Sequence, residues 1–296
     1  MHQPLYGCCD EKEKVAAVVE KKMEQNEILS HAHELPKIPK VIREMMELVN
    51  DPEVELQELS RTISMEQVVS ARVIRLANSA HFSRGKSVSS VDQAVVRLGL
   101  EPLKTLIIAS SLVSAFPYVE VIDLEEFWQE TFEVAILSKA IAQSCDVNPN
   151  AAFTAGMLHN IGDLMIYTVM ADQVPAIFEK METGSSKVSA QRSTIGTDSA
   201  ILGSKLAESW SFSDELVFAI SEQYEPKIDN IYSPLAATVR LANAINRHWD
   251  ELVTMDAKSV WLSEQIEADI LSVDGSITEK VDAVKGSGIE MARLVM

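Results

Sequence analysis

Apolar residues recur along this chain with the period of an α-helix almost from end to end. The apolar faces of the short N-terminal helices include Val41, Ile42, Met45 and Leu48, then Val68, Val73, Ile74 and Leu76. Phe127, Thr131, Val134, Leu137, Ser138 and Ile141 mark a longer helix, and residues 150–170 read as one more. Beyond Asp250, Trp261, Leu262, Ile266 and Ile270 continue the amphipathic pattern. Period-two alternation is absent; the β-branched run Val15–Val19 sits among helix formers. The predicted fold class is all-α.

Polar punctuation supports that division. Asn148-Pro149 and Ser233-Pro234 each place a capping side chain before a proline at the first helical position. Ser64 with Gln67, Ser90 with Gln93, Asp123 with Glu126, Ser276 with Glu279 and Ser287 with Glu290 have capping-box spacing. Gly99 stops one helix and Pro102 suits the first turn of the next. Asn78-Ser79 is expected to close a helix and tie down the loop after it. Thr183–Ser186 reads as a loop. Residues 1–30 form a polar leader with one charged helix, 31–117 an N-terminal helical subdomain, 118–250 a second helical subdomain and 251–296 a helical C-terminal extension. No long linker parts the halves, so two packed subdomains are expected.

Composition narrows the function classes. Hydrophobic residues are 47% of the 296, enough for a sizeable core. The net charge of −18 repels nucleic acid and anionic lipid at long range, so neither is an expected partner. No apolar run has the length of a membrane span, and the charged stretch 10–27 is not a signal peptide. Cys8, Cys9 and Cys145 make no disulfide framework, which fits a reducing cytoplasm.

Chemistry enters with the run Ala155-Gly156-Met157-Leu158-His159-Asn160-Ile161-Gly162-Asp163. Three further runs precede it: Leu35-Pro36-Lys37-Ile38-Pro39, Ala71-Arg72-Val73-Ile74-Arg75-Leu76-Ala77-Asn78-Ser79-Ala80, and Ser89-Ser90-Val91-Asp92-Gln93-Ala94-Val95-Val96-Arg97-Leu98-Gly99. In that order they resemble the HDOD domain of bacterial signalling proteins, a relative of the HD metal-dependent phosphohydrolases. The likeness covers about residues 31–250. It implies an N-terminal helical bundle packed on an HD-like helical half, here without a receiver or cyclase domain.

HD chemistry uses histidines and aspartates to hold divalent cations that activate water against phosphorus. At the corresponding positions this chain carries Glu130, His159, Asn160, Ser199, Gln223, Tyr224 and Asn243. One imidazole with amides and hydroxyls does not repay dehydration of a divalent ion. No cofactor is expected on this reading, and these positions are vestigial. A variant centre for magnesium or manganese, built from Glu130, His159, Asp163 and Asp198, is the competing arrangement; on one helix His159 and Asp163 would share a face.

A local basic cluster stands out in the acidic chain, with Arg72, Arg75, Arg84 and Lys86 as candidates for an anion or acidic partner. Intramolecular pairing with neighbours such as Glu66, Asp92 and Glu101 is the favoured alternative. Met45, Met157 and Met165 fall at core spacing. The function expected first is a non-catalytic signal-transduction module that binds a protein partner or a small anionic ligand. The alternative is a phosphohydrolase with a variant metal centre around His159; a weaker third reading is a sensor of a nucleotide messenger.

Overall fold

The computed structural model describes residues 44–45, 48, 54–79, 87–225 and 232–296. Among them the chain forms sixteen α-helices and no strand. The first four are α1 (Leu56–Ser64), α2 (Gln67–Ala77), α3 (Val91–Leu98) and α4 (Leu100–Ala115). The middle of the chain forms α5 (Leu124–Ala142), α6 (Pro149–Leu158), α7 (Ile161–Val169), α8 (Val174–Glu182), α9 (Lys187–Ile195), α10 (Ser199–Ser209), α11 (Asp214–Glu222) and α12 (Pro234–His248). The extension adds α13 (Met255–Ser263), α14 (Ile266–Leu271), α15 (Thr278–Val284) and α16 (Ser287–Val295). No single helix among the described residues is long and apolar enough to cross a membrane.

Helix α5 is the spine. From Thr131 to Ala142 it is buried almost throughout, as a helix with neighbours on most sides must be. Trp128, Phe132 and Ala135 enter a core that runs from Met45 through α1–α4 and α6–α10 to Ala292 and Val295. Val134, Leu137 and Ile141 enter a second core with α6, α11, α12 and α13–α15. Met157 and Met165 are buried in the first core, as their spacing predicts.

Local signals govern most helix starts. Asn148 Oδ1 accepts from the N–H groups of Asn150 and Ala151 at 2.9 and 3.1 Å, with Pro149 at the first position. Asp123 Oδ1 caps α5, Ser90 caps α3 and Ser233 caps α12. Gly99 takes φ 73°, open to glycine, and turns the chain into α4. Asn78 pairs twice with the backbone of Val88, at 2.8 Å each way, and so ties the end of α2 to the residues that lead into α3.

Three capping expectations fail. Ser64 lies inside α1 and bonds to the Ser60 carbonyl, while Glu66 caps α2. Ser276 sits in a short 3-10 turn capped by Asp274. Ser287 is already helical, after Gly286 at φ 87°. In each case the spacing is right but a neighbour holds the non-helical backbone that a cap requires. The single helix read over 150–170 is also two, broken at His159-Asn160, where Asn160 has φ −112° and ψ 12°.

The extension is built into the fold. Glu133, buried on α5, accepts from Gly286 N and Gly288 N at 2.7 Å each. Gly288 packs so closely that a Cβ there would lie 2.5 Å from the Gln129 carbonyl oxygen. Trp249 and Lys258 both donate to Asp282, at 2.6 and 2.7 Å, and Arg75 donates to the Leu294 carbonyl. Glu133→Ala orphans two N–H groups in the packed interface and is expected to cost about 3 kcal/mol. A urea melt checks this, and a loss below about 1 kcal/mol, the level of a solvated bond, would refute it.

Candidate functional site

The break between α6 and α7 places His159 and Asn160 under α9 and α11. His159 Nδ1 lies 2.6 Å from the Gly156 carbonyl oxygen. A carbonyl only accepts, so Nδ1 carries the proton and Nε2 keeps its lone pair. Burial pushes the imidazole pKa down to about 4; the Gly156 carbonyl and Asp163 oppose this, and the charges of Lys187 and Arg247 reinforce it. The ring is therefore neutral at physiological pH. The unfolded chain takes up this proton near pH 6.5, the folded chain only near 4. Stability tied to His159 is thus complete above that window and falls through it as pH drops, by roughly 3 kcal/mol. An NMR titration should find the His159 ring signals unmoved from pH 8 to about 5; a midpoint at or above 6.5 would refute the neutral assignment.

Asn160 Nδ2 donates to Thr131 Oγ1 at 2.7 Å, and that hydroxyl donates to the Phe127 carbonyl at 2.7 Å. Asn160 Oδ1 is buried with no partner among the described residues. Gln223 Nε2 donates to the His159 carbonyl at 2.6 Å, tying α11 to the break.

The carboxylates near this break are held by protein groups. Asp163, buried on α7, accepts from Lys187 Nζ at 2.7 Å and from Gln191 Nε2 at 2.8 Å. Burial works against the Lys187 ammonium, but Asp163 and Tyr224 outweigh it and raise its pKa above the usual lysine range. That ammonium also lies 5.4 Å from the Tyr224 ring centre. Burial and the Asp163 charge push the neighbouring Tyr167 phenol up. Gln191 Oε1 accepts from Ser199 N at 3.0 Å. Asp198 caps α10 through the N–H groups of Ala200 and Ile201 and accepts from Arg192 Nε at 2.7 Å. The rest of the Arg192 fork grips Glu225 at 2.9 and 3.1 Å.

The structure therefore brings His159, Asn160, Asp163, Ser199, Gln223 and Tyr224 to one place. Ser199 Oγ is 3.5 Å from the Tyr224 hydroxyl. Glu130 is exposed on α5, and Asn243 is half-buried on α12. Among the described residues, no three His, Cys, Asp or Glu side chains converge to hold a metal ion. Sequence reasoning missed Lys187, Gln191 and Arg192. One short capped helix carries all three, but nothing in that helix points to partners across the fold.

The described members of the basic cluster make structural contacts. Arg72 is buried between α2 and α4 and donates to the Ser110 carbonyl at 3.3 Å and to Ser114 Oγ at 3.1 Å. Burial and then the neighbouring Arg75 lower its pKa. Arg97 donates to the Ala77 carbonyl at 3.3 Å. These partners are backbone carbonyls and a hydroxyl. Arg84 and Lys86 lie outside the described residues, as do Cys8 and Cys9.

A groove of about 420 Å³ opens beside the same site, between α12 and the turn joining α13 to α14. Gln223, Tyr224 and Asn243 form part of its lining.

The family model of the HDOD domain matches residues 35–226. A crystal structure of a candidate phosphohydrolase from Shewanella amazonensis SB2B superimposes with TM-score 0.80 at 36% identity, covering 91% of this chain and 98% of that one. An HDOD domain protein of unknown function from Geobacter sulfurreducens gives TM-score 0.77 at 23% identity, over 94% and 98% of the two chains. An uncharacterized protein of Treponema pallidum (strain Nichols) is 24% identical over 237 residues, 75% of this chain and 44% of the relative. The chain thus spans less than half the length of that curated relative. The match over well more than half its residues, with the motifs in order and the helical architecture in common, means that this chain belongs to the HDOD domain family.

Proposed function

We propose that this chain is a non-catalytic signal-transduction module of the HDOD type that works by binding a protein partner or a small ligand. The observation that carries this reading is the charge balance around His159. Asp163 is neutralised by Lys187 and Asp198 by Arg192, each at 2.7 Å. A divalent cation here would have to displace those cations or sit beside them. Asn160 offers a single neutral oxygen, and His159 a single lone pair. Those residues do not fit a metal centre, so no hydrolytic step is derived through one. The likeness to a candidate phosphohydrolase is a likeness of fold and sequence, and chemistry resides in the site.

Metal analysis of the purified chain tests the reading. The expected result is no stoichiometric manganese, iron or zinc, and no turnover of phosphomonoesters or phosphodiesters with those metals added. Stoichiometric metal that disappears in His159→Ala would overturn it in favour of the variant centre of Glu130, His159, Asp163 and Asp198. The cytoplasmic location and bacterial origin expected from sequence are part of the same proposal.

A further inference from the structure

The groove beside the HD-like site joins two walls of different chemistry. Helix α12 gives one wall, with Asn243 and Arg247 four residues apart and so on one face. The turn after α13 gives the other, with Glu264, Gln265 and Glu267. Tyr224 lines the groove between them. The charges in it are not all available. Glu267 is nearly buried and accepts from Arg240 Nε at 2.8 Å, while Arg240 also donates to the Gln223 carbonyl at 2.6 Å and stacks on Tyr232 at 4.1 Å. Gln265 uses one of its two amide N–H donors on the Trp261 carbonyl at 2.9 Å. Two groups on the α12 wall remain: neither Arg247 nor Asn243 has a hydrogen bond or ion pair among the described residues. On the facing wall the exposed Glu264 carboxylate is an acceptor.

From this arrangement we infer that the groove binds a small organic anion whose far end carries hydrogen-bond donors. The anion sits on the Arg247 guanidinium and the Asn243 amide, and the donors face Glu264 and the Gln265 carbonyl oxygen. A guanidinium fork takes a carboxylate or a phosphate in the same geometry. The volume admits a mononucleotide or anything smaller. Nucleoside monophosphates, with phosphate and ribose hydroxyls, and amino acids, with carboxylate and ammonium, share this chemistry. The inference also gives the C-terminal extension a role, since α13 and α14 supply one wall. It rests on the proposed ligand-binding function and names its site.

Arg247 also lowers the pKa of His159, so its charge is felt at the break between α6 and α7. The Gln223 side chain bonds to the His159 carbonyl and its own carbonyl accepts from Arg240. A ligand on Arg247 therefore touches the wall that holds the HD-like site together.

The test is calorimetric titration of the full chain with AMP, GMP, glutamate, aspartate and inorganic phosphate. One of the two organic classes is expected to bind saturably, and which one identifies the source of the anion. Arg247→Gln is expected to weaken that binding at least about tenfold, and Asn243→Leu to weaken it as well. Both residues are away from the core, so the thermal midpoints should stay near that of the parent chain. Arg61→Gln, at an exposed position of α1, should leave the affinity unchanged. No probe binding more tightly than roughly 1 mM, or equal binding by Arg247→Gln, would overturn the inference. Either result in a metal-free, inert protein leaves the non-catalytic reading standing. Turnover with bound metal would instead overturn that reading.

Discussion

Gly162→Ala is expected to prevent stable folding, with a loss of more than about 4 kcal/mol, the range reserved for backbone collisions in a packed core. Gly162 sits in the first turn of α7, where α10 crosses it. A Cβ there would lie 1.9 Å from the Ser199 carbonyl oxygen and 2.7 Å from Gly203 N. Both are backbone atoms of α10, so no side-chain rotation relieves the contact, and the two helices must separate. Separation also pulls Ser199 N away from Gln191 and so loosens the support of Asp163. Gly203→Ala is a milder version, since its nearest contact would be 3.1 Å. Gly184→Ala is the control: it meets nothing within 4 Å and carries only the strain of φ 98°, about 1 kcal/mol. Urea melts of the three variants should rank in that order. A Gly162→Ala chain as stable as Gly184→Ala would mean that the α7–α10 crossing is looser than described.

Lys187→Met is expected to destabilise the protein by about 3 kcal/mol, because it strands a buried carboxylate. Asp163 is 2% exposed and keeps only Gln191 once the ammonium is gone. The double replacement Asp163→Asn with Lys187→Met should recover most of the loss, since an amide needs no counter-charge. The resulting coupling energy is expected at about 2 kcal/mol, within the range for contacting residues. Asp250→Asn is the contrast. Asp250 is 75% exposed where it meets Lys285, and such a pair is worth under about 1 kcal/mol. Additive losses in the Asp163–Lys187 cycle would show that the ammonium is not what neutralises the carboxylate, and would remove the main support for a self-satisfied site.

Helix content was legible because helical periodicity and many caps are decided within a few residues. The caps at Ser90, Asp123, Asn148 and Ser233 and the stop at Gly99 follow from side chains two to four positions from the backbone groups they satisfy. The buried methionines and the buried face of α5 follow from period alone, whereas on α2 Val68 is exposed and Val69 and Arg72 turn inward with Val73 and Leu76. The misread caps at Ser64, Ser276 and Ser287 show the limit of that reasoning, since spacing does not say which neighbour leaves helical geometry. The helix predicted through 150–170 shows it again. Local propensity favours continuity across Leu158–Ile161, but Asn160 bonds to Thr131 and the His159 carbonyl takes Gln223, contacts supplied by other helices.

The sequence by itself determined the all-α class, the helix starts at Ser90, Asp123, Asn148 and Ser233, the buried methionines and the HDOD motifs. Those depend on residues near one another in the chain. Tertiary structure alone decided that Lys187 answers Asp163, that Arg192 answers Asp198, that Arg72 turns inward and that Glu133 clasps the C-terminal extension. A buried charge takes whichever partner the packing brings within hydrogen-bond distance, and separations such as the 153 residues between Glu133 and Gly286 leave no local trace.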